Sequence, residues 1–460
     1  MECRIALLHG LVVTSIALLL IGCSAPRPTP TRVPPKPAPT QAPPIPTPTQ
    51  TAPKPTAVPT PSPTPTSVPT PTTAPPQHRI AVRVVDGNGE FFDRSTGNKF
   101  IPLGNNYVHL APMQGAPGGM WHATLNPGFY DPSLADQALR KMHASGYNVV
   151  RIFVDCCRTS NNVGSRTGGI APAYVDNLVD FLKRARANDI FALLSLDLTP
   201  ADGGYSELWN SCCTLFDGEN IRYLTTGGQR AKARFDQDVI RALAKQDAPF
   251  DAIFAFDLTN EVHFDNGRAP LNLSSGQVTT ANSRTYDMGK PEDKQRMMDE
   301  NLVVWIDQQR AAILAVDPTA LVTVSFFWPQ APHPARIGDS RVIRTYPAIW
   351  ESSADFIDLH PYPGQELTLP QYVDNFELGD QKQKPIIIGE FGANRGAFPT
   401  VASAAQALQN WQIESCKYGF DGWLLWTWDL SEDRAFWTAA DEDGTIDRWL
   451  APVNRPDPCK

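Results

Sequence analysis

Phe254-Ala255-Phe256-Asp257-Leu258-Thr259-Asn260-Glu261 is an apolar run that finishes in an amide and a carboxylate, and Pro385-Ile386-Ile387-Ile388-Gly389-Glu390-Phe391-Gly392 again carries an apolar run into a carboxylate. Short apolar runs rich in β-branched and aromatic residues read as strands buried on both faces. Six more runs of this kind lie near Pro102–Tyr107, Asn148–Val154, Ile190–Asp197, Leu321–Phe327, Phe356–His360 and Gly422–Thr427, so the two quoted stretches are the fourth and seventh of eight. Between them the apolar residues fall at three and four spacing, as at Leu134, Ala138 and Met142, at Val175, Leu178, Val179 and Leu182, and within Val239–Leu243, Leu302–Leu314 and Val401–Ile413. Eight strands alternating with helices predict an α/β fold, a (β/α)8 TIM barrel. A doubly wound open sheet would share the alternation. No Gly-x-Gly-x-x-Gly turn comes after the first strand, however, and the chemically interesting residues are spread over many strand ends. Ahead of the barrel, Asp86-Gly87-Asn88-Gly89 and Ser95-Thr96-Gly97-Asn98 punctuate β-rich sequence, which predicts an N-terminal β-hairpin capping the barrel floor.

The chain begins with Arg4 followed by an apolar run that closes on Leu20-Ile21-Gly22-Cys23, similar to a bacterial lipoprotein signal. On that reading residues 1–22 are removed and Cys23 is the lipidation site, anchoring the protein to the outer side of the bacterial membrane. An uncleaved membrane span is the alternative, and either one exports the remainder of the chain. Residues 23–77 are dominated by Pro, Thr, Ala, Ser and Val and contain no aromatic residue. Such a segment builds no core and reads as a disordered Pro/Thr-rich stalk, reaching up to about 160 Å at ~3.1 Å per residue. Residues 78–460 then have ordinary globular composition and form one expected catalytic domain.

The formal net charge is −8 and the globular part holds no basic cluster, so nucleic acid is not an expected partner. Past Cys23 the cysteines are Cys156, Cys157, Cys212, Cys213, Cys416 and Cys459, an even set in an oxidising setting, for which disulfides are the expectation. Cys156 and Cys157 come after the second strand and Cys212 and Cys213 after the third, so cross-links between these rim loops are expected, with Cys416 joined to Cys459. A zinc site is the alternative, against which stands the lack of any Cys-x-x-Cys spacing.

Two glutamates at the ends of the fourth and seventh strands can face each other across a barrel mouth. Glycoside hydrolysis needs such a pair, one to protonate the leaving oxygen and one to attack or stabilise the anomeric carbon. With these motifs the chain resembles glycoside hydrolase family 5, within the wider clan of retaining (β/α)8 enzymes, from His78 to the C-terminus. The resemblance implies Glu261 as acid/base, Glu390 as nucleophile, and Arg151 of the second strand as the charge that keeps Glu390 ionised and aimed. It further implies that His360 of His360-Pro361-Tyr362 contacts the sugar, that the Tyr362 hydroxyl bonds the nucleophile, and that Asn260 donates to the sugar 2-hydroxyl. Trp426 best matches the platform under the sugar, with Trp428, placed on the same face by period two, as the competing assignment. The third strand ends Ser195-Leu196-Asp197, where many relatives offer a histidine.

No Gly-x-Ser-x-Gly elbow and no histidine-rich metal signature appears, and no cofactor is implied. The expected substrate is a β-linked glycan of the β-1,4-glucan or β-mannan type, cleaved by a monomer. A glycan-binding lipoprotein without turnover and a transglycosylase are the rival readings. Because the stalk contributes no packing, deleting residues 24–77 should leave the melting temperature within a few degrees of the intact chain, as thermal denaturation of the two forms will show.

Overall fold

The computed structural model describes residues 77–112, 120–154, 162–210, 215–327, 341–342, 346–365, 367–380 and 382–460. The expected signal peptide, Cys23, the stalk up to residue 76, and Cys156, Cys157, Cys212 and Cys213 lie outside these residues.

Each apolar run becomes a strand of one parallel sheet: Leu103–Asn106, Val149–Phe153, Phe191–Ser195, Ile253–Asp257, Val322–Thr323 with Ser325–Phe326, Ile357–Leu359, Ile386–Phe391 and Phe420–Leu425. The fifth strand is broken at Val324. Its first half pairs with the fourth strand and its second half with the sixth, which closes the ring. This is the (β/α)8 barrel. Helices cover it, and three of them, Pro132–Ala144, Pro172–Ala187 and Pro291–Leu314, open on proline, whose missing N–H costs nothing in the first turn. In the first helix the buried stripe is Ala135, Ala138, Leu139 and Met142, while Leu134, expected to be buried, is exposed. Ala138 and Met142 lie on the buried face as the spacing implies, and Leu134 at the first turn is the one that does not.

The N-terminal hairpin pairs Ile80–Val85 with Asn88–Asp93 through Asp86 and Gly87, both at positive φ, and Lys99–Phe100 adds a third strand. It is the floor of the barrel. Ile80, Phe91 and Phe100 plug the ring's lower end against Val149, Phe191, Leu193, Phe254, Phe356, Ile387 and Leu424. The Phe91 ring lies 5.2 Å from that of Phe254 and 5.1 Å from that of Phe356. Next to it, fully buried His78 bonds Asp317 Oδ2 at 2.6 Å and the Ile253 carbonyl at 3.0 Å, so ordered packing is already present at the domain's first residues. At the other end of the chain Cys416 and Cys459 are joined, tying the C-terminal tail to the end of the helix Val401–Ser415.

Since Phe91 fills the floor from outside the ring, Phe91→Ala should cost roughly 3–5 kcal/mol of stability. Urea unfolding is the measurement, and the loss should come without a change in the pH profile of activity.

Candidate active site

The upper half of the barrel interior is polar. Arg151, inward-facing on the second strand and fully buried, is its centre. Its Nη1 donates to Glu390 Oε1 and, at 3.2 Å, to Asn106 Oδ1. Its Nη2 donates to Asp257 Oδ2 at 2.8 Å and to Asn260 Oδ1 at 2.9 Å. Burial opposes the guanidinium charge, but Glu390, Asp257 and Asp358 outweigh it and hold Arg151 above its ordinary value. Asn106 also donates to the carbonyls of Gly389 and Leu425, at 2.9 and 3.3 Å, which ties the first strand to the seventh and eighth.

Glu390 reaches this cluster through a bulge. Ile388 and Phe391 pair with Trp423 and Leu425, so three steps along the seventh strand match two along the eighth. The extra residue breaks the alternation and lets Gly389 and Glu390 both face inward between outward-facing Ile388 and Phe391. Gly389 has its own reason: a Cβ there would stand 2.0 Å from Asp358 Oδ1. Tyr362 completes the setting, its hydroxyl donating to Glu390 Oε2 at 2.7 Å. Burial and the neighbouring Glu390 and Glu261 charges push that phenol well above its usual value, so it stays a donor.

Glu261 lies four residues beyond the last residue of the fourth strand, in a turn rather than at the strand end itself, and has a positive φ of 50°. Its Oε1 is 3.1 Å from His360 Nδ1, and the same nitrogen is 3.6 Å from Glu390 Oε2. His360 is fully buried, and burial, against the opposing pull of Glu390, lowers it to about 4. It is therefore a neutral imidazole between two carboxylates at neutral pH. Below it Asp358, also fully buried, is pushed well above the carboxylate range by burial and by Asp257 and Glu390, with Arg151 opposing.

The sequence reading placed Glu261, Glu390, Arg151, Asn260, His360 and Tyr362 at one site, and the structure brings all six together. The guanidinium has only donors, so Asn260 must turn its oxygen to Arg151 and its amide N–H groups away from it. Trp426 is half-buried, its ring 6.2 Å from that of Phe153 and 6.3 Å from that of His122, whereas Trp428 is buried in the outer core, edge-on to Tyr147. The expectation of a shared face fails because the strand stops at Leu425. Beyond it Trp428 N bonds the Asn106 carbonyl, and period two no longer applies.

Asn106, Ser195, Asp257, Ser325 and Asp358 were missed. Asp257 and Asp358 carried a legible signal, each a charge inside an apolar strand that needs a partner, as Arg151 also is. Glu261, His360 and Glu390 each place one donor atom within 4.8 Å of the others, a spacing that ligands around a cation would also have. A cation there would sit beside the Arg151 guanidinium that donates to Glu390, and the two positive charges would repel.

A parallel barrel with two glutamates converging over its open end, one of them braced by arginine and tyrosine, is the architecture of a glycosidase. The chain belongs to the cellulase family, glycosyl hydrolase family 5, whose sequence pattern matches residues 111–432. Among solved structures it is similar to the endo-1,4-β-mannanase of Rhizomucor miehei, at 18% identity and a TM-score of 0.54 over 82% of this chain and 99% of that one. It is also similar to the β-mannanase of the blue mussel Mytilus edulis, at 16% identity and a TM-score of 0.50 over 82% and 98%. Likeness at such identities establishes the shared fold. No curated protein matches the chain in sequence.

Burying His360 neutral has a pH signature. Its folded value of about 4 lies below the 6.5 of an unhindered histidine, so between these values the unfolded chain binds a proton that the folded one does not. The contribution of His360 to stability should therefore fall as pH drops from about 6.5 to 4, by an amount on the order of 3 kcal/mol. Unfolding free energies measured across this window should show a steeper acid loss for the parent chain than for His360→Gln.

Proposed function

We propose that the enzyme is a retaining glycosidase of β-1,4-glucan or β-mannan, with Glu390 as nucleophile and Glu261 as acid/base. The observation that carries the reading is the separation of the two carboxylates, with an oxygen of each within 4.8 Å of the other. Retaining glycosidases hold the pair about 5–5.5 Å apart, whereas inverting ones leave about 6.5–9.5 Å for a water. The asymmetry of their surroundings supports the roles. Glu390 has its negative charge against Arg151 and accepts from Tyr362, which suits an anionic nucleophile. Glu261 instead faces the His360 ring, in contrast to the guanidinium that meets Glu390, which suits a group that exchanges a proton with the leaving oxygen.

In the first step a Glu390 oxygen attacks the anomeric carbon, the glycosidic C–O bond breaks, and the Glu261 proton passes to the departing oxygen. In the second, Glu261 takes a proton from water, the water oxygen attacks the same carbon, and Glu390 is released. Two inversions leave the configuration unchanged. Asn260, its oxygen held by Arg151, offers its N–H groups to the sugar 2-hydroxyl, and half-buried Trp426 offers a ring face to pyranose C–H groups. Lipidation at Cys23 and the stalk of residues 23–77 would display this domain, acting as a monomer, at the outer face of the membrane.

Glu390→Ala should abolish turnover, and added azide should restore cleavage as a glycosyl azide of inverted configuration. Glu261→Ala should slow oligosaccharides far more than aryl glycosides with good leaving groups, which need little protonation. Proton NMR of the first product from a β-linked substrate should show the β-anomer. An initial α-anomer would mean inversion and remove Glu390 from its role.

A further inference from the structure

Asp197, two residues past the end of the third strand, lies outside the chemistry described above, yet its carboxylate is buried against the turn that carries Glu261. One oxygen, Oδ1, accepts from the Thr259 hydroxyl at 3.0 Å and from the Asn260 backbone N–H at 3.1 Å. Thr259 Oγ1 in turn accepts from Arg222 Nη1 at 2.8 Å, and both Thr259 and Arg222 are buried. Arg222, Thr259 and Asp197 thus form a directed chain of hydrogen bonds whose last acceptor grips the turn by side chain and backbone together.

The turn is held from its opposite side as well. Ser325 Oγ accepts from the Glu261 N–H at 3.0 Å and donates to the Thr259 carbonyl at 3.1 Å, while the Ser325 carbonyl takes the Val262 N–H at 3.0 Å. Between these two holds Glu261 has a φ of +50°, the left-handed region that favours glycine. A side chain stays there only where its neighbours over-determine the backbone. The Ser325 side rests on the barrel wall. The Asp197 side rests on a carboxylate oxygen.

We infer that Asp197 is a positioning residue for the acid/base: by holding Thr259 and Asn260 it keeps Glu261 in its left-handed conformation, aimed at the leaving oxygen. This rests on the proposed role of Glu261. In this role Asp197 acts through Glu261, setting the geometry from which the proton is given. A displaced general acid is felt in proportion to how much the leaving group needs its proton. A defect passed through Glu261 is therefore distinct from one caused by loosened packing.

The test compares Asp197→Ala, Asp197→Asn and Glu261→Ala on two substrates, an unsubstituted β-1,4-oligosaccharide and the 2,4-dinitrophenyl glycoside of the same sugar. Asp197→Ala should lower kcat on the oligosaccharide by about 100-fold with little change in KM, and by less than about 5-fold on the aryl glycoside. Asp197→Asn keeps an acceptor oxygen and should recover most of the loss. If the alanine variant does not fold, Thr259→Val removes the hydroxyl link while keeping the shape, and should show the same split more weakly. An equal loss on both substrates, an unchanged kcat in the folded variant, or an asparagine variant as impaired as alanine would overturn the inference. Absence of the split in Glu261→Ala would instead refute the acid/base role itself, so the two failures are told apart.

Discussion

A guanidinium with no access to water is the constraint around which this barrel is arranged. Arg151 is in place because its charge is met by Glu390 and Asp257 and its two other Nη hydrogens by Asn106 and Asn260, while Nε is left without a hydrogen-bond partner among the described residues. Removing any one of these leaves a buried donor or charge unmet, which costs far more than the surplus contact was worth. The residues come from four elements: the ends of the first, fourth and seventh strands and the turn after the fourth. One ion cluster therefore ties the barrel mouth together and aims a carboxylate across it.

Such a polar interior needs a dry support, and the floor supplies it. The aromatic plug of Phe91, Phe100, Phe191, Phe254 and Phe356 packs the lower end of the ring, beneath the charged layer. Hydrophobic burial below thus supports a cluster above whose own net stabilisation is small. Water kept out from beneath strengthens every electrostatic contact within. Asp358 shows how crowded the layer is. It is a third carboxylate around one arginine, pushed by burial well above the usual carboxylate range, and it occupies the volume left free by Gly389.

The two proposed catalytic carboxylates reach the mouth by different local devices. Glu390 is turned inward by a bulge within a strand, and Glu261 by a left-handed turn after one. Both are departures from regular structure, and both are held by side chains from neighbouring elements. Regular strands would send one of every two residues inward at fixed spacing. The irregularities allow the gap between the carboxylates to be set by chemistry rather than by the pleat.

Much of this was legible in the residues alone. Eight apolar runs alternating with helical spacing specified the barrel, because a strand buried on both faces must be apolar throughout and a covering helix must repeat at three and four. The Asn-Glu and Gly-Glu endings pointed to the site, because an apolar run that stops on a carboxylate carries it toward the barrel mouth, although Glu261 lies in the turn beyond its strand. An isolated charge within such a run, as at Arg151, needs a partner, and the same sign at Asp257 and Asp358 went unread. Beyond the Cys416–Cys459 link and the Arg151 and Tyr362 contacts of Glu390, what the sequence by itself left open was how elements meet. Leu134 points outward, Trp426 and Trp428 part company, the seventh strand bulges at Gly389 and Glu390, and Asp197 holds a turn 62 residues away. Periodicity describes a segment against its own axis, so it registers neither where a strand ends nor which long-range hydrogen bond overrides the local alternation. Those outcomes depend on which groups are already unsatisfied when the elements close into a ring, and only the tertiary structure decides that.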